Sequence, residues 1–389
     1  RLTYDEVWSW LDAPAPPGDP RAKALLPHLR NLYALYKVLL NAREARGAID
    51  FDTVELALEF DTSGKIERIV PAPRNDAHKL IEECMLAANV CAADFLAAYK
   101  QAVLYRVHAG PTPEPLVQLP ALLARAELEL GGGDAPTAMD YAKLMRKIEG
   151  RPDQALLQTV MLRSLQQAQY RPDNVGHFGL AYDAYAHFTS PIRRYPDLLV
   201  HRAIKAVLAG GRYVPAGATW SELGAHCSLT ERRADDATRD VEAWLKCFFM
   251  RDRIGEVFAG TVSGVTSFGL FVTLDALNVD GLVHITELGR DYFRYDAARH
   301  ELKGERSGAA WRLGARITVR VARVDLDTSK IDFVLADAGA SLQADAGAHG
   351  SRARAAARAP RATPKGQPHV SQPLSREDLP LRTKPAAKR

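Results

Sequence analysis

Near residue 255 the apolar residues of this chain change period, and the change dictates two kinds of structure within one polypeptide. Before it, Leu, Ile, Met and Ala recur at helical spacing from Leu25 to Ala45 and from Asp76 to Tyr99, and a long helix is expected from Ser221 to Asp252. After it come five short runs with the two-residue period of strands: Val257 to Val262, Gly269 to Leu274, Gly281 to Ile285, Ile317 to Val324 and Ile331 to Leu335. Five strands in about 80 residues predict a small closed barrel.

The helical part holds one hairpin. Val54 to Phe60 alternates at the strand period, Asp61 to Gly64 is turn chemistry, and Ile66 to Val70 runs back. Pro14 to Gly18 and Gly131 to Gly133 read as surface connections, and Thr3 with Glu6 reads as a capping box opening the first helix. Beyond Ala336 the chain is Ala, Arg, Pro, Gly and Ser, a composition that buries too little apolar surface to order itself. The expected organisation is α+β: a catalytic-type half-domain over 1–250, an all-β barrel of the OB type over 255–336 and a disordered basic tail over 337–389.

Charge is divided along the same line. Residues 351–389 hold ten Lys or Arg against Glu377 and Asp378, so +8 of the charge sits there and residues 1–350 carry −4. A partner attracted by charge is therefore expected at the tail, and any anion site in the body must be a local cluster. No run of about 18 apolar residues and no leader pattern appears, which predicts a cytoplasmic chain without membrane contact. The opening Arg1 runs straight into a helix and reads as the middle of a domain. Cys84, Cys91, Cys227 and Cys247 lie in apolar, helix-like segments without paired zinc spacing, so reduced core thiols are expected.

The stretch richest in chemistry is His187-Phe-Thr-Ser-Pro-Ile-Arg-Arg-Tyr-Pro-Asp197. Ser190 suits an N-cap and Pro191 the first helical position, which predicts a helix start that places Arg193 and Arg194 in the first turn. Unpaired backbone N–H groups and two guanidiniums there would grip a phosphate; alternatively, one of the arginines pairs with Asp197 or another carboxylate.

Tyr185 to Asp197 resembles the signature of the ribonuclease II/R catalytic domain, called RNB. So do Arg74 to Asn89, Gly179 to Ala181 and Glu231 to Asp240 leading to Trp244, and the resemblance covers essentially residues 1–336. It implies 3′-to-5′ hydrolysis of single-stranded RNA, processive and Mg²⁺-dependent, releasing nucleoside 5′-monophosphates. It places the catalytic Arg on Arg193, a Glu near the RNA 3′ end on Glu82, and an aromatic closing the base stack on Phe51. Their ordinary alternatives are an ion pair of the Glu82-Glu83 step with Lys79 and a half-buried strand residue. The family's metal-holding Asp cluster, D-x-x-x-x-x-D-x-D-D, is not in this sequence, so residues 1–389 alone are expected to be inactive. Asp235-Asp236 lies among arginines and reads as structural.

Gly255 to Leu335 resembles the RNA-binding repeat of the large ribosomal protein of the small subunit, the S1 type. The carriers are Gly255-Glu-Val, Val265 to Val272, Gly281 to Leu288 and Leu313-Gly314. That resemblance places Phe268, Phe271 and His284 on one barrel face, where bases stack, with Arg320 or Arg323 beside them for phosphates. Strict alternation would separate the two Phe, and only a bulge or turn at Gly269 brings both outward. The tail is expected to add salt-sensitive RNA affinity or to dock the ribosome or other RNA-decay proteins. The rival reading is a non-catalytic RNA-binding protein; a second, a translation factor, leaves residues 1–250 without a role.

Overall fold

The computed structural model describes residues 1–13, 18–51, 55–72, 74–151, 153–296 and 299–336. Val54, most of the 14–18 connection and the whole tail from 337 lie outside the described residues.

Helix α1 (Tyr4–Asp12) opens on Thr3, whose hydroxyl accepts the Glu6 N–H at 3.2 Å. The expected box is only half made, because the Glu6 carboxylate turns instead to Arg21 at 2.7 Å. Helix α2 (Pro20–Arg46) ends at Gly47, where φ is 81° and a side chain would collide with Met139. The hairpin β1 (Leu56–Phe60) and β2 (Ile66–Pro71) and helix α3 (Asp76–Ala98) follow as expected, α3 being capped by Asn75. Strand β3 (Tyr105–Val107) pairs antiparallel with β4 (Gln169–Arg171), and between them lie α4 (Pro113–Arg125), α5 (Ala138–Ile148) and α6 (Gln154–Arg163). Helices α7 (Tyr195–Leu208) and α8 (Trp220–Arg251) complete the helical part.

The barrel closes in the order β11-β12-β7-β6-β5, from β5 (Val257–Thr266), β6 (Gly269–Leu274), β7 (Asp280–His284), β11 (Arg316–Asp325) and β12 (Lys330–Leu335). All its pairings are antiparallel except β12 with β7. Between β7 and β11 the chain inserts a three-stranded sheet, β8 (Phe293–Asp296), β9 (Glu301–Gly304) and β10 (Ala310–Arg312), which the strand pattern alone did not reveal.

The largest apolar cluster ignores the change of period at residue 255. Ile69 of β2 and Cys247, Phe249 and Met250 of α8 pack into it with the barrel residues Val262, Leu270, Val272, Val319 and Phe333. The end of α8 and the hairpin therefore roof the barrel. A second cluster joins α4, α5 and α6, and a third joins α3 to α7. Of the four cysteines, Cys227 and Cys247 are buried, Cys84 is half-buried and Cys91 is exposed; Cys91 sits on a solvent-facing side of α3, so the core reading fails for it.

Candidate functional site

The residues of the 187–197 stretch do not continue one helix. Pro191 to Arg193 form a turn in which the Ser190 carbonyl accepts N–H groups from Arg193 and Arg194, and α7 begins at Tyr195. This corrects the expected N-cap at Ser190. The reason is Pro196: inside a helix started at Ser190 its ring would clash with the carbonyl four residues back and supply no N–H, so the helix restarts with Pro196 in its first turn.

The first turn of α7 carries an anion of its own. Asp197 is 0% exposed, and its Oδ1 accepts the Ser190 N–H at 2.7 Å and Arg194 Nη2 at 2.8 Å. The expected phosphate cradle at the helix start is thus filled by a carboxylate, and Arg194 is the arginine that pairs with it, as one of the two alternatives held. Arg194 serves the turn rather than standing free. Arg193 remains exposed at the tip, next to Ile192, which is fully exposed at 101%.

From the other side the turn is held by α3. Asn89, buried in an otherwise apolar run, donates from Nδ2 to the Tyr185 hydroxyl at 2.9 Å, and its Oδ1 accepts the N–H groups of Phe188 at 2.9 Å and Thr189 at 3.2 Å. His201 of α7 stacks on Phe188 at 4.3 Å between ring centres and bonds the Phe188 carbonyl at 2.9 Å. Three side chains from two helices, Asn89 of α3 with Asp197 and His201 of α7, therefore fix residues 185–194, and Arg193 projects from that support.

Beneath the turn runs a chain of rings: His108 to His177 at 5.1 Å, His177 to Tyr185 at 5.3 Å, Tyr185 to His187 at 5.6 Å, and His187 to Tyr170 at 5.6 Å. Burial, with the neighbouring Arg194 and Arg106, pushes the His187 imidazole down to about 3; burial, with His108 and Arg106, does the same for His177, also to about 3. Both rings are neutral, and His187 Nδ1 meets the Tyr170 hydroxyl at 2.8 Å. Burial raises the Tyr170 phenol to about 12, so it stays protonated. Arg106 lies 4.7 Å over the Tyr170 ring and pairs with Glu231, the first residue of the α8 word, at 2.5 Å.

The structure does not bring Phe51 and Glu82 into contact, although their sequence neighbours Asp50 and Glu83 share one arginine. Arg43 binds Asp50 at 3.2 Å and the buried Glu83 at 2.7 Å, which draws the 47–51 segment to α3. Glu82, on the solvent side, is held by Arg74 at 2.9 Å rather than by Lys79. Phe51 is half-buried against the α4–α6 cluster.

The barrel rings form a separate site. Phe268 sits in the turn before β6, Gly269 has φ of 153°, and β5 slips register between Val262 and Gly264. Those two irregularities turn both Phe outward, 47% and 38% exposed, with ring centres 6.0 Å apart and perpendicular. His284 pairs in register with Gly269 and is exposed. Arg320 pairs with Val334, and β12 runs parallel to β7 with Phe333 opposite Val283, so Arg320 lies two strands from His284 on the outward side, about 10 Å away. Arg323 is taken by Asp325 at 2.9 Å.

Among the described residues no three His, Cys, Asp or Glu side chains gather to hold a metal ion, and Asp236 pairs with Arg239 on the surface of α8. The described residues do not fit a Mg²⁺ site. No helix of the described residues is long and apolar enough to cross a membrane.

An α+β domain that fixes one guanidinium on a braced turn, joined to an OB-type barrel displaying aromatic rings, is the build of a protein that handles nucleic acid strands. Comparison with known proteins makes the class specific. The RNB domain family matches residues 1–210 and the S1 RNA binding domain matches residues 251–335. The chain is 50% identical over 346 residues to ribonuclease R of Escherichia coli (strain K12), covering 86% of this chain and 42% of that protein. It is 50% identical over 359 residues to ribonuclease R of Vibrio cholerae, covering 88% and 43%. The solved apo form of Mycoplasma genitalium RNase R superposes with a TM-score of 0.78 at 26% identity, over 86% of this chain and 53% of that one. The chain belongs to the RNB family, with an S1 domain following its RNB part. It spans under half the length of these curated relatives.

Proposed function

We propose that the whole protein is a cytoplasmic 3′-to-5′ exoribonuclease that hydrolyses single-stranded RNA processively to nucleoside 5′-monophosphates, and that this chain supplies its phosphate-holding turn and an RNA-binding barrel. The observation that carries the reading is the exposure of Arg193 on a turn braced from both sides by Asn89 and Asp197. Hydrolysis of a phosphodiester accumulates negative charge on the phosphoryl oxygens, and a preorganised guanidinium donating to them lowers the barrier without moving. Phe51 closes the base stack and Glu82 contacts the 3′-terminal nucleotides. Phe268, Phe271 and His284 stack upstream bases, and Arg320 holds a phosphate among them. The proposed Mg²⁺ is held by carboxylates that this chain does not supply, so the chain alone binds RNA without releasing nucleotides. The tail adds affinity for RNA or docks the ribosome or another RNA-decay protein.

The test is release of mononucleotides from a labelled oligoribonucleotide by the full-length protein with Mg²⁺ and with chelator. Arg193→Ala is expected to lower kcat by about 10²–10³-fold with a smaller change in KM. A normal rate in that variant would remove Arg193 from the chemistry. Tight RNA binding with no mononucleotide release by the unsubstituted full-length protein would establish the non-catalytic binder instead.

A further inference from the structure

We propose that the inserted sheet β8–β10 is a second single-stranded RNA surface, on which Arg294 and Lys303 hold phosphates and Tyr292 stacks a base; this rests on the RNA-binding reading above. The alternation of β8 and β9 settles which side chains face out. Phe293 and Leu302 enter the barrel's apolar cluster, and Tyr295 packs against it, so Tyr292, Arg294 and Lys303 lie on the opposite, exposed side. Arg294 and Lys303 are direct cross-strand partners.

Two like charges facing each other across a strand pair destabilise it. Among the described residues neither has a carboxylate within ion-pair distance, and neither does Arg290, exposed just before Tyr292. The neighbouring acids do not neutralise them. Asp296 turns to Arg299 at 3.7 Å and Glu301 is buried against Arg312 at 2.9 Å. Asp291 is spent on the loop, accepting from the N–H groups of Tyr292 and Ser307 at 2.7 Å each and from Arg306 at 3.2 Å. Glu305, exposed beside Tyr292, is the one carboxylate left on this face among the described residues.

Tyr292 is 70% exposed, and the Asp291 staple together with the Glu305 N–H bond to the Tyr292 carbonyl at 2.9 Å fixes its backbone. An exposed ring on a fixed backbone beside uncompensated cations matches alternating bases and phosphates of an unpaired strand. The sheet follows the barrel rings closely along the chain, because only the turn Ile285–Leu288 and Gly289 separate His284 from Arg290. A strand leaving the Phe268, Phe271 and His284 rings would meet this sheet next.

The experiment measures binding of a fluorescein-labelled oligouridylate to the full 389-residue chain across a salt series. Arg294→Gln with Lys303→Gln is expected to weaken binding and to flatten the slope of log K against log salt by about 1.4, two phosphate contacts on a single strand. Tyr292→Ala should weaken binding at every salt concentration with the slope unchanged. Phe271→Ala is the control for the barrel. If Phe271→Ala weakens binding while the Arg294/Lys303 pair changes neither affinity nor slope, the sheet is not an RNA surface and the barrel reading stands. If none of these variants changes binding, both readings fall. Circular dichroism melts confirm folding; the Gln pair should melt no lower than the parent, since it removes a repulsion.

Discussion

At the residue scale the turn depends on Asn89 more than on any arginine, because one amide satisfies two part-buried N–H groups and a buried tyrosine hydroxyl. Removing it leaves those groups without partners, and Asn89→Ala should cost about 3 kcal/mol in urea unfolding. In the full-length protein the same variant should lower kcat more than it raises KM, and Asn89→Asp, whose oxygens still accept both N–H groups, should recover part of the loss. A loss confined to stability, with kcat intact, would show that Arg193 does not need the brace. The two neutral histidines give a second prediction. Their folded values near 3 lie below the unfolded value of about 6.5, so the unfolded chain binds protons that the folded chain refuses. Stability is therefore full above about 6.5 and falls as pH drops toward 3, by about 1.4 kcal/mol per pH unit for each ring. Urea unfolding between pH 7 and 5 reads this above the range where carboxylates titrate; a flat profile would mean that the rings charge freely. The stretch that carries Arg193 was legible in the sequence because its residues are contiguous. Asn89, at the end of the RNB-like stretch Arg74 to Asn89, was missed, and its signal was a lone amide in the apolar run Met85 to Val90, a position that demands buried partners.

At the element scale α2, α3, α8 and the five barrel strands were legible because each has a long or sharp hydrophobic period, whereas α4, α5 and α6 were not singled out and the start of α7 was misplaced because Pro196 bars a helix begun at Ser190. The inserted sheet was missed for a different reason. Its strands are three or four residues long, joined by polar turns, and too short for alternation to register. The barrel's closure rests on close approaches that only glycine allows. A side chain at Gly281 would enter the ring of Phe333, a buried residue on the neighbouring strand β12. Gly281→Ala should therefore destabilise the chain by about 1–3 kcal/mol and weaken oligouridylate binding through disturbance of β7, which carries His284. Unchanged thermal stability would show that the strand can shift at no cost.

At the scale of the whole molecule the change of period at residue 255 marks a change of architecture, and the packing shows that it does not mark a break in the core. Ile69 from the hairpin and Cys247, Phe249 and Met250 from α8 share one cluster with the barrel, Leu156 of α6 fills the space left by Gly314, and Arg125 of α4 donates to the Arg299 carbonyl at 2.9 Å. A linear reading could not show this, because the partners lie as far apart as Ile69 and Phe333 and nothing local in Ile69 or Leu156 announces a barrel. Contacts of this kind couple the unfolding of the parts they join. Calorimetry of the chain is therefore expected to show one transition for residues 1–336. Met250→Ala is the discriminating variant, since the side chain is fully buried, belongs to α8 by sequence and belongs to the barrel by packing. Its removal should cost about 2–5 kcal/mol and move that single transition as a whole. Two transitions, with only one displaced by Met250→Ala, would show that the barrel and the RNB part unfold independently and that the shared cluster does not bind them into one cooperative body.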